Sequence, residues 1–104
     1  MRVDDVYSII QNERFVLELE VVDQDGVPEN MTGSTIDIDC STSLPVTDFN
    51  TSTSLSVGSI TVTANADKTA TWPIGRHLMD VREIVSLTNR SVLCRVVIEV
   101  ETNL

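Results

Sequence analysis

A chain of 104 residues, 41 % hydrophobic and 22 % charged, has the size of one domain and too much apolar content to stay disordered. Its formal net charge of −9, with only seven basic residues scattered along the chain, repels phosphate backbones and anionic lipid, which argues against nucleic-acid and membrane partners. No apolar run approaches the roughly 18 residues of a membrane span, and the start MRVDDVYSIIQNER lacks the apolar core of an export signal, so synthesis in the cytoplasm is expected.

The first segment holds Val3, Val6, Tyr7, Ile9 and Ile10. Residues 1–12 are therefore either an arm that packs on a neighbouring subunit or the first strand of a domain spanning 13–104, since a terminus is ordered only when something ties it down. From Phe15 to Val21 the pattern alternates, with Phe15, Leu17, Leu19 and Val21 on one side and Glu18 and Glu20 on the other, which predicts a half-buried strand. Asp23-Gln24-Asp25-Gly26 closes it as a turn, followed by an irregular edge piece around Pro28 and Thr32-Gly33.

Ile36, Ile38 and Cys40 alternate with Asp37 and Asp39, giving a second strand. The Ser/Thr-rich stretch from Ser41 to Ser56 reads as a long loop with room for a short edge strand, and loops of that length are commonly functional. Ile60, Val62 and Ala64 line the next strand. Asn65 to Lys68 is expected to turn into a hairpin partner lined by Ala70, Trp72 and Ile74, with Pro73 near its end. After Gly75 come a strand from His77 to Val85 and a final one that presents Val92, Cys94, Val96, Ile98 and Val100 on one face. Turn signals every eight to twelve residues separate seven or eight strands, the rhythm of an all-β antiparallel sandwich.

Two segments carry a resemblance. Val22-Asp23-Gln24-Asp25-Gly26-Val27-Pro28-Glu29-Asn30-Met31-Thr32-Gly33 and Gly75-Arg76-His77-Leu78-Met79-Asp80-Val81-Arg82 resemble, in order and spacing, the turn-and-strand motifs of the immunoglobulin-like β-sandwich modules in structural proteins of tailed bacteriophages, such as baseplate and tail-fibre subunits. His77 stands where that pattern usually has Tyr. The resemblance covers about residues 13 to 100. It implies an immunoglobulin-like fold, a place in the virion, other virion proteins and further copies of the chain as partners, and no catalytic residues.

The residues themselves offer little chemistry. A Ser-His-Asp arrangement would have to use His77, with Asp80 or Glu83 as its orienter, and strand geometry points His77 and Asp80 to opposite faces. Asp23 and Asp25 form half of a calcium-loop pattern without its closing Glu, so a backbone turn accounts for them and no metal or cofactor is expected. Cys40 and Cys94, each in a strand, read as reduced thiols. With Trp72 expected in the core, Tyr7 and Phe49 are the rings left for a surface, few for a sugar-binding platform. The function expected is thus a virion structural protein of the tail, baseplate, fibre or neck, not an enzyme; a capsid decoration protein or a carbohydrate- or host-surface-binding module is the alternative. Its contacts would use Val3, Val6, Tyr7, Ile9, Ile10 and Phe49.

Overall fold

The computed structural model describes residues 3–40, 44–86 and 88–102, with the side chains of residues 3–5 left out. The elements are β1 (Val3–Ile10), β2 (Phe15–Glu20), β3 (Thr35–Cys40), β4 (Asn50–Ser54), β5 (Ser59–Ala64), the short helix α1 (Ala66–Thr69), β6 (Gly75–Ser86) and β7 (Asn89–Glu101). They build an all-β sandwich of two sheets, one in the order β1-β7-β6-β3 and the other β2-β5-β4.

The period-two pattern does the folding work. Phe15 and Leu17 on β2, Ile60, Val62 and Ala64 on β5, Met79 and Val81 on β6, and Val96, Ile98 and Val100 on β7 all point between the sheets and are buried. Withdrawing each large aliphatic side chain from water stabilises the fold by about 1.5–3 kcal/mol, and together they oppose the entropy of ordering the chain. A bulge on β7 lets Val81 face Cys94 and Arg82 face Val92, so Leu93 is the extra residue and turns toward the core.

Among the described residues four of the five strand pairings are antiparallel as expected, and the antiparallel expectation is corrected at the fifth, β1 on β7, which is parallel from Val3↔Arg95 to Ile10↔Glu101. Residues 3–10 are thus an edge strand of the chain's own sheet. The polar stretch after β3 carries β4 as an edge strand, bracketed by 3-10 turns at Val46–Asp48 and Leu55–Val57, while 41–43 lie outside the described residues.

One expected element is corrected. No strand forms through Ala70, Trp72 and Ile74, and β5 pairs with β2 and β4 instead of with that segment. Asn65 to Lys68 starts a helical turn whose backbone bonds run on to Trp72. The alternation in 70–74 was produced by a single anchor: Trp72 is fully buried, whereas Ile74 is 57 % exposed.

Candidate functional site

The aromatic residues meet at one end of the sandwich. Phe15 packs edge-on against Tyr7 (6.4 Å between ring centroids), Phe49 (5.9 Å) and Trp72 (6.0 Å), and Phe49 lies 5.2 Å from Trp72. The indole N–H of Trp72 donates to Asp48 Oδ2 at 2.9 Å, its carbonyl accepts from Gln11 Nε2 at 2.8 Å, and Thr69 Oγ1 donates to the Glu13 carbonyl at 2.6 Å. Three loops are clamped together by these bonds, and the cluster is core.

The expected contact residues therefore separate. Ile9 and Phe49 are buried and are corrected from surface to core: β1 lies in the sheet with alternate side chains, Ile9 among them, facing inward, and Phe49, just after the 46–48 turn, packs on Phe15 and Trp72. Tyr7, half-buried on the same inward face, lines with Glu13, Arg14 and Phe15 a groove of about 260 Å³ between β1 and β2. Val6 and Ile10 point outward, 53 % and 38 % exposed, and remain available for contact. Val3 begins β1, and its side chain is outside the described part. None of the four large aromatic rings stands exposed.

His77 sits on the inward face of β6, buried, with Nε2 2.7 Å from the carbonyl oxygen of Pro73. A carbonyl can only accept, so Nε2 carries the proton, and the ring ties the start of β6 back to the loop before it. Asp80 lies on the opposite face, held by Arg95 through Nε at 2.7 Å and Nη2 at 2.9 Å. Glu83 accepts from the Ser34 hydroxyl at 2.6 Å. The structure does not bring these three into one constellation.

Asp23 is committed to its turn as well. Its Oδ1 accepts the backbone N–H groups of Asp25 (2.8 Å) and Val27 (3.0 Å), and among the described residues no three metal-ligating side chains cluster. Cys40 and Cys94 are thiols, and that of Cys40 is pushed up to about 11 by burial first and then by the charges of Asp39, Asp80 and Asp48.

The outer face of the larger sheet carries a charge lattice. Arg82 bridges to Asp37 at 2.7 Å and approaches Asp39 at 3.9 Å, Arg95 grips Asp80, and Arg76 reaches Glu99 at 3.3 Å. The hydrogen bond from Arg95 holds the Asp80 carboxyl below the ordinary range, against the opposing effect of its burial. The alternation of Asp37 and Asp39 was visible in the sequence. Their partners were not, because Arg82 lies 45 residues from Asp37 and the two meet through the β3–β6 register.

Among the described residues, backbone at the sheet edges also stands open. Each sheet ends in two edge strands, β1 and β3 in one and β2 and β4 in the other, and β4 is exposed along its whole length. No family model, curated protein or solved structure matches the chain.

Proposed function

We propose that the chain is a non-catalytic building block: an immunoglobulin-like sandwich that assembles in several copies within a bacteriophage virion, on the tail, baseplate, fibre or neck. The observation that carries this reading is the employment of the reactive side chains. His77, Asp23, Asp80, Arg82 and Arg95 all brace strands and turns, while strand edges and exposed side chains such as Val6 and Ile10 stand at the surface. Strand edges are surfaces for association, by added strands or by packing.

The strand order supports the immunoglobulin-like reading. The order β2-β5-β4 facing β7-β6-β3 is that of strands B-E-D facing G-F-C in such sandwiches, with β1 added parallel along β7. Fold alone does not assign a role. The carbohydrate alternative gains nothing from the structure, since the rings it would need are buried or half-buried.

Mass spectrometry of purified particles from the genome encoding the chain tests the proposal. Detection at several copies per particle is the expected result. Absence from particles, together with retention of the monomer on a glycan column or turnover of a substrate, overturns it.

A further inference from the structure

The four edge strands are not equivalent. β2 contains Glu18 and Glu20 and β3 contains Asp37 and Asp39, so each of these edges puts two carboxylates beside any incoming copy of a chain whose net charge is −9, and the sequence of β1 holds Asp4 and Asp5. Charges on an edge are the usual protection against unwanted pairing. β4, Asn50-Thr51-Ser52-Thr53-Ser54, contains none, and neither does any residue from Phe49 to Ala66. It also lacks Pro, its pairing with β5 runs from Asn50↔Thr63 to Ser54↔Ser59 without a register shift, and all five residues are exposed.

We propose that a second copy of this chain occupies the open edge of β4, the two strands pairing antiparallel about Ser52, so that two sheets of three strands become one of six. The segment is self-complementary under that operation. Ser52 meets its own copy, Thr51 meets Thr53, and Asn50 meets Ser54, which places hydroxyls opposite hydroxyls and β-branched residues opposite each other, both favourable cross-strand neighbours. A two-fold axis makes such a contact closed, giving a dimer and not a filament. Among the edges, this is the one where like charge does not oppose approach. The inference rests on the reading of the chain as an assembly subunit, and names the contact it uses.

Sedimentation velocity over a range of protein concentrations tests it with three variants. The wild-type chain dimerises. Ser52→Lys sets two ammonium groups against each other across the axis and raises the dimer dissociation constant at least tenfold, while Val16→Lys on β2, the other edge of the same sheet, leaves it unchanged. Ser52→Cys yields a disulfide-linked dimer on mild oxidation that the wild-type chain, with its thiols at Cys40 and Cys94, does not form; it decides the matter should Ser52→Lys fail to fold by circular dichroism. A wild-type chain that stays monomeric, a dimer indifferent to Ser52→Lys, or equal weakening by Val16→Lys each overturns the β4 contact. A monomer in solution that is nonetheless present in many copies per particle would refute this pairing and leave the subunit reading standing.

Discussion

Gly58 has a φ of +64°, and a Cβ there would stand 2.6 Å from the Val21 carbonyl oxygen and 2.9 Å from that of Glu29. Both are backbone atoms and neither can swing away, so Gly58→Ala is expected to cost about 2 kcal/mol or more in urea unfolding. The contrast is Gly26, where φ is +82° but nothing lies within 4 Å of the added atom; Gly26→Ala should cost only about 1 kcal/mol, from the left-handed conformation alone. His77 is likewise a structural residue. Replacing it by Phe keeps the ring volume and strips the Pro73 carbonyl of its donor, which predicts a loss of about 1–2 kcal/mol in the same measurement. Cys40 makes a chemical prediction. With its pKa raised to about 11, only roughly one thiol in a thousand is ionised at pH 8, so Ellman's reagent should label it slowly in the folded protein and rapidly in urea. A raised pKa also means that the stability it contributes is complete below the unfolded value and is lost as pH climbs through the folded one.

At the scale of elements, the parallel pairing of β1 with β7 decides between a strand and an arm within this chain. Ile9 is buried, Tyr7 contacts Phe15, and the N–H of Gln11 bonds the Glu101 carbonyl at 2.9 Å. Removing residues 1–10 is therefore expected to lower stability by roughly 3 kcal/mol or more and to expose the edge of β7, visible as a lower melting temperature and as aggregation. A dispensable arm would leave the melting temperature unchanged. Within the β3–β6–β7 lattice, Asp80 makes a prediction about acid. Because Arg95 depresses the Asp80 carboxyl, its contribution is present above the unfolded pKa of about 4 and disappears as pH falls through the lower folded value. Asp80→Asn should therefore destabilise the protein near neutrality by about 1 kcal/mol, Arg95 being partly exposed, and should flatten the decline in stability below pH 4.

For the molecule as a whole, β1 closes against β7 and β3 against β6 across long stretches of intervening chain, so most of the larger sheet forms only after distant segments meet. That topology places folding in the millisecond-to-second range. It also leaves β4, the edge without charge, exposed to other copies before and after folding, and concentration-dependent association is the behaviour expected of the purified chain.

The alternation of aliphatic and polar side chains was enough to place Leu17, Ile60, Val62, Val96 and Ile98 inside a sandwich, since a period of two admits one buried face whatever the neighbours are. The same reasoning over-read Ala70, Trp72 and Ile74, where one indole seeking the interior imitates a strand. It could not assign Ile9 and Phe49 to the core or unite Asp37 with Arg82 and Asp80 with Arg95, because those contacts depend on which strands become neighbours and in what register. A carboxylate pattern can be read along one strand, but a sheet edge exists only once the sheet is built. The bare edge of β4 is thus a property of the tertiary structure, even though every residue that makes it neutral was already in view.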